Sequence, residues 1–104
     1  MRVYLIDPVA RTITAEDVVD GITGIGRLIG YDSLDFDEIG DQGDRLYFDE
    51  SCFIRHGAQM SRFRVDSLAP VAGRGVVSGG APDGSLPSDA RVEIAELSTR
   101  VSFL

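Results

Sequence analysis

The sequence predicts an α+β fold: a small, twisted, mostly antiparallel sheet of about five strands with one or two short helices. Three observations carry that expectation. Short β-branched and aromatic runs alternate with clusters of Gly, Asp and Pro, the pattern of successive hairpins. Two windows, 21–30 and 92–101, space their apolar residues at helical intervals. The length of 104 residues suits a single domain spanning 1–104, with one modest core.

Taken in order, Val3 to Ile6 form an apolar run that Asp7-Pro8 stops, because Pro8 lacks a donor and holds Asp7 extended. The β-branched Thr12-Ile13-Thr14 follows a short turn, so 2–7 and 11–15 read as a hairpin. Residues 15–20 are compatible with an extension of that strand. Ile22, Ile25, Leu28 and Ile29 share one helical face, with Gly30 placed to end the helix. Internal glycines oppose this helix, at about 1 kcal/mol each relative to alanine. Leu34-Asp35-Phe36-Asp37 begins a half-buried strand, Gly40 to Asp44 is a turn, and Arg45 to Asp49 is the return strand. Cys52-Phe53-Ile54 is a short apolar run that breaks at His56-Gly57.

Residues 63–80 read as a strand, a Pro70-containing turn and a second strand closed by Gly79-Gly80. Residues 80–90 are rich in loop formers and are expected to be an exposed loop. Ser88 or Asp89 is placed to cap a final helix carrying Ile94, Leu97 and Val101, so 91–104 reads as a C-terminal helix and tail. Val101 to Leu104 would close against the core.

Composition narrows the function. Apolar residues at 43% and charged residues at 26% argue for a folded chain. No apolar run reaches the roughly 20 residues of a membrane span, and the start lacks the pattern of a secretory signal. A single cysteine, Cys52, fits a reducing compartment, and a cytoplasmic location is expected. The formal net charge is −7, which opposes direct binding to nucleic acid. All ten basic residues are arginines, and Lys and Asn are absent, which suggests a GC-rich bacterial genome.

Asp32, Asp35, Asp37, Glu38, Asp41, Asp44, Asp49 and Glu50 crowd one stretch, opposed there only by Arg45. They form a candidate partner-binding surface for a basic protein, since such a face steers and selects positive partners. The competing explanation is the solvated side of a hairpin. Asp35, Asp37 and Gly40 stand at positions 1, 3 and 6 of a calcium loop, but Ile39 and Leu46 stand where oxygen ligands belong. With one cysteine and one histidine, Cys52 and His56 do not make a zinc set, so no metal and no cofactor are expected. As a nucleophile and base they lack a legible orienting partner, and Asp49 or Glu50 would have to serve. Gly24-Ile25-Gly26 imitates a dinucleotide loop, but Gly30 falls one residue late. The turn Gly73-Arg74-Gly75, with Arg62 or Arg64, is the alternative candidate site, for a nucleotide or phosphate.

Several of these features together resemble a family of small uncharacterised proteins of phages, plasmids and integrated elements. They are the Asp7-Pro8 stop, the apolar helix before Gly30, and a strand followed by Asp49-Glu50. The specific part is Pro70-Val71-Ala72-Gly73-Arg74-Gly75-Val76-Val77 after Phe63, with Gly79 following. Asp83-Gly84, Leu97 and Val101 are similar to members with a C-terminal helix. The chain departs from members with a longer polar helix after the first strand. The resemblance implies a mobile-element origin and supplies no active site. Charge, size and resemblance together give the expectation of a non-enzymatic accessory protein. It would bind a host protein with a basic surface and inhibit a nucleic-acid-based defence such as CRISPR or restriction. Open strand edges also permit a homodimer.

Overall fold

The computed structural model describes residues 1–56, 61–80 and 87–104, the side chain of His56 excepted. Among the described residues the elements follow in the order β1 (Arg2–Asp7), β2 (Thr12–Asp17), α1 (Ile22–Ile29), β3 (Leu34–Ile39), β4 (Asp44–Asp49), α2 (Cys52–His56), β5 (Arg62–Val65), β6 (Val71–Ala72), β7 (Gly75–Gly80), β8 (Pro87–Ser88), α3 (Ile94–Arg100) and β9 (Val101–Phe103). The fold is α+β, and among the described residues every strand pairing is antiparallel. One sheet runs β2-β1-β7-β4-β3, with β8 added to β7. A second, small sheet runs β6-β5-β9.

Period-two alternation divides the large sheet into two faces. Val3, Tyr47 and Val76 face α1, where Val18, Ile25 and Ile29 complete one cluster. Their neighbours Tyr4, Ile6, Leu46 and Val77 face the other way, onto Phe63, Val65, Val71, Val92 and Leu97. The molecule is therefore three-layered: α1, the large sheet, then the small sheet with α3. The central strands β1, β7 and β4 bury apolar side chains on both faces because both are covered.

The first hairpin forms as its sequence predicts. The Asp7 carboxylate accepts from the backbone N–H groups of Val9 and Ala10 at 3.0 and 3.3 Å, which fixes the turn. The ambiguous residues that follow extend β2 to Asp17. In α1 the glycines that oppose a helix are explained by packing. A Cβ on Gly24 would stand 2.3 Å from Val18 Cγ1, so only glycine lets the helix lie this close to the strand it follows. Gly30 closes α1, its N–H donating to the Gly26 carbonyl at 2.7 Å.

The stretch 63–80 departs from a simple hairpin. β5 and β6 belong to the small sheet and β7 to the large one, so the chain crosses between layers at Gly73-Arg74. The reason is that β7 is flanked on both sides by six-residue partners, β1 and β4, and has no free edge for β5.

The expected exposed loop at 80–90 is also corrected at both ends. Gly80 and Ala90 are buried, and Pro87-Ser88 pair with β7; 81–86 lie outside the described residues. Neither Ser88 nor Asp89 caps the last helix. Asp89 accepts from the Arg2 N–H at 2.7 Å, and α3 begins later, with Glu93 at its N-cap. Two buried partners hold Val92 extended and prevent an earlier start. Its N–H donates to Asp44 Oδ2 at 2.9 Å, and its carbonyl accepts from the Tyr4 hydroxyl at 2.8 Å. Val101 does not continue the helix. It opens β9, which closes against β5 and adds Val101 and Phe103 to the core.

The end of α3 is tied to the turn after β5. Asp66 N–H donates to the Arg100 carbonyl at 2.9 Å, and Arg100 Nε donates back to Asp66 Oδ1 at 2.9 Å. The Arg100 hydrogen bond holds the Asp66 carboxyl below its ordinary value. A depressed folded-state pKa stabilises above the unfolded value, about 4, and that stabilisation is lost as pH falls through the folded one. Asp66→Asn is therefore expected to lower stability modestly at neutral pH and to flatten the acid limb of the stability curve. Asn tolerates the φ of 52° found at Asp66, so the comparison isolates the charge. Urea titrations from pH 7 to pH 3 check this; parallel curves for the two proteins would refute it.

Candidate functional site

Strand β3 is an edge of the large sheet; among the described residues no strand pairs with its outer side. Its register with β4 sets Leu34 against Asp49, Phe36 against Tyr47 and Glu38 against Arg45. The Glu50 N–H donates to the Ser33 carbonyl, so in antiparallel alternation Asp35, Asp37 and Ile39 exchange hydrogen bonds with β4. The backbone groups of Leu34, Phe36 and Glu38 then point outward. The Phe36 N–H is met there by the Asp35 carboxylate at 2.8 Å.

The eight candidate acids divide. Asp32, Asp35, Glu38, Asp41 and Glu50 are exposed and Asp37 is half-buried. Along β3, Asp35 and Asp37 lie on the α3 side and Glu38 on the α1 side, so the charges follow an edge and do not form one face. Asp44 and Asp49 correct the expectation, because both are 2% exposed and engaged internally. Asp44 accepts from the N–H groups of Arg91 and Val92. Asp49 accepts from the Ser51 N–H at 3.1 Å and from Arg55 Nε at 2.9 Å. That bond raises the Arg55 pKa.

An aromatic contact was not legible in the run of acids. Phe36, at 40% exposure, lies against Tyr47 with ring centroids 5.4 Å apart, and the Arg45 guanidinium stacks 4.6 Å from its centroid. Arg45 is therefore buried against the sheet beside the edge strand, on the face it shares with Phe36 and Glu38.

The alternative site residues separate as well. Gly75 belongs to β7, packed against Phe63, and Arg62 and Arg64 belong to β5 in the other sheet. Gly73 and Arg74 line a cleft of about 400 Å³, together with residues 7–10, 29–31, Ala72 and Asp49; Arg62 and Arg64 are not part of it. Arg74 is already engaged there. Its Nε is 3.6 Å from Asp7 Oδ2, and its Nη1 donates to the Leu28 carbonyl at 3.4 Å.

Among the described residues, no three His, Cys, Asp or Glu side chains gather as a metal-ligand set. Cys52 is buried as a free thiol, Glu50 is exposed and Asp49 is paired with Arg55; the His56 side chain lies outside the described residues. No helix among the described residues is long and apolar enough to cross a membrane. No family model, curated protein or solved structure matches the chain.

Proposed function

We propose that this protein is a non-enzymatic binding module that docks a basic partner protein along the β3 edge. The supporting observation is an open edge strand, six residues long, flanked by Asp32, Asp35, Asp37, Glu38 and Asp41 and carrying a half-exposed Phe36. An incoming extended segment would take the outward backbone groups of Leu34, Phe36 and Glu38, and its Lys or Arg side chains would meet the acids on either side. The same charges repel a second copy of this edge, which favours a different protein over self-pairing here. The resemblance around residues 70–77 and the net charge of −7 extend this to an accessory role in a phage or mobile element, with a host defence protein's basic nucleic-acid-binding surface as the target.

The quadruple variant Asp35→Asn, Asp37→Asn, Glu38→Gln and Asp41→Asn tests the edge. Partner affinity is expected to fall at least about tenfold at low salt, with a flatter salt dependence. Asn at 35 keeps an oxygen for the Phe36 N–H. Partner capture from a bacterial lysate, followed by titration at two salt concentrations, gives the measurement. Undiminished affinity in the variant would remove the edge as the docking site. Slowed amide exchange at Leu34, Phe36 and Glu38 on binding would separate strand addition from contact by charge alone.

A further inference from the structure

We propose that the β2 edge is a self-association surface, through which two copies of this chain join their large sheets about a two-fold axis at Thr14. β2 is the other edge of the large sheet, and among the described residues no strand pairs with its outer side. The register with β1 sets which backbone groups point outward. Val18 N–H donates to the Met1 carbonyl at 2.8 Å, and the Met1 ammonium donates to the Val18 carbonyl at 2.6 Å. Alternation then turns the backbone groups of Thr12, Thr14 and Glu16 toward β1 and those of Ile13, Ala15 and Asp17 outward. Edge strands are ordinarily protected by charge, proline or a bulge. β3 carries acids, whereas Thr12-Ile13-Thr14-Ala15 has no charge and no proline, and its register with β1 is unbroken.

The strand is complementary to itself in one register. About an axis at Thr14, Ile13 pairs with Ala15 of the second copy, so the outward backbone groups meet each other. Arg11, at the end of the turn, stands against Asp17 of the second copy, and the two-fold repeats that contact. Both residues are exposed, and among the described residues neither is in an ion pair within its own chain. Thr12 stands against Glu16, whose carboxylate accepts from a hydroxyl, and Thr14 meets Thr14. Moving the axis to Ile13 or to Ala15 keeps the backbone bonds but sets Arg11 and Asp17 against uncharged residues. Antiparallel pairing also brings the turn of each copy, with Val9 at 70% exposure, toward the chain leaving β2 of the other, with Val19 at 92%.

The assembly is one continuous antiparallel sheet with a β3 edge at each outer end. It does not rest on the reading of β3 as a docking strand, and its test uses no other protein.

The experiment is sedimentation equilibrium of the full chain from about 10 μM to about 1 mM. The mass is expected to rise from that of one chain, 11.2 kDa, toward twice that value. Thr14→Glu sets like charges across the axis at an exposed position and should weaken the dimer at least about tenfold. Arg11→Glu and Asp17→Arg should each weaken it severalfold. An equimolar mixture of those two variants should recover it, because both contacts of the mixed dimer again join opposite charges. Cross-linking reads the register. Thr14 forms a non-hydrogen-bonded pair with its own copy, with Cα atoms about 4.5 Å apart and within disulfide reach. Thr12 lies about 13 Å from its own copy. Thr14→Cys is therefore expected to give a disulfide-linked dimer under mild oxidation. Thr12→Cys, and the parent with its buried Cys52, should remain unlinked. A single-chain mass throughout the range would overturn the proposal. So would a dimer that Thr14→Glu leaves intact, a mixture no tighter than either charge variant alone, or faster cross-linking through Thr12→Cys than through Thr14→Cys.

Discussion

Replacing Asp44 by alanine is expected to lower unfolding free energy by about 3–5 kcal/mol, a large part of what a domain of this size possesses. The carboxylate is 2% exposed at the start of β4, and its two oxygens accept from consecutive backbone N–H groups, Arg91 at 2.8 Å and Val92 at 2.9 Å. These bonds join residues 47 and 48 positions apart in sequence. They tie β4 to the segment that leads into α3, beside the bonds that Arg2 and Tyr4 of β1 make to it. Alanine would leave the Val92 N–H buried without an acceptor. It would also remove a negative charge that favours the protonated form of Arg100. Asp44→Asn retains one acceptor oxygen and should lose about half as much. Asp41→Ala, three residues earlier and exposed, should stay within about 0.5 kcal/mol of the parent. Urea midpoints at constant m-value measure all three. If Asp44→Ala shifted the midpoint no more than Asp41→Ala, the clamp would have no energetic role.

Asp44 also marks where the sequence stops being legible. The hairpins β1–β2 and β3–β4 were readable because alternation and turn chemistry are local. So was α1, although its glycines spoke against it; their reason, the approach to Val18, is tertiary. Asp44 sits in a run of acids, and nothing around it distinguishes the one that turns inward from those that stay in water. Its partners lie far along the chain, at 91 and 92. The start of α3 was misplaced for the same reason, since the cap signals at Ser88 and Asp89 were outweighed by long-range hydrogen bonds at residues 89 and 92. The division of residues 63–80 between two sheets is likewise a matter of pairing partners, which period-two patterning does not name.

The candidate sites show the same limit in another form. Charge density pointed to the β3 region, and β3 is an edge, but two of the eight acids belong to the interior. Glycine and arginine at 73–75 pointed to a turn, and the turn does border a cleft. Arg74 is held there by Asp7, distant in sequence from the turn, while Arg62 and Arg64 lie in the other sheet.

The second large effect is expected where the two sheets meet. Phe63 on β5 is fully buried and reaches across to β7 at a glycine. A Cβ on Gly75 would stand 2.5 Å from Phe63 Cζ and 3.0 Å from Leu46 Cδ1, so the ring occupies the space a side chain would need. Phe63→Ala removes that ring and leaves a cavity between the layers, for a loss of about 3–5 kcal/mol. Gly75→Ala overfills the same space and should lose about 1–3 kcal/mol. The two sites are in contact, so their effects should not add. Phe63→Leu alone should lose about 2 kcal/mol from the smaller buried surface. Combined with Gly75→Ala, it gives the new methyl room, and the double variant should be less destabilised than the sum of the singles by about 1 kcal/mol or more. A double-mutant cycle from urea midpoints measures this coupling. Strict additivity would mean that the ring and the glycine do not share a packing site, and that the small sheet is held to the large one by other contacts. A coupling of the expected sign would identify this glycine as the reason the chain can pass from one layer to the other at residues 73–74 without opening the core.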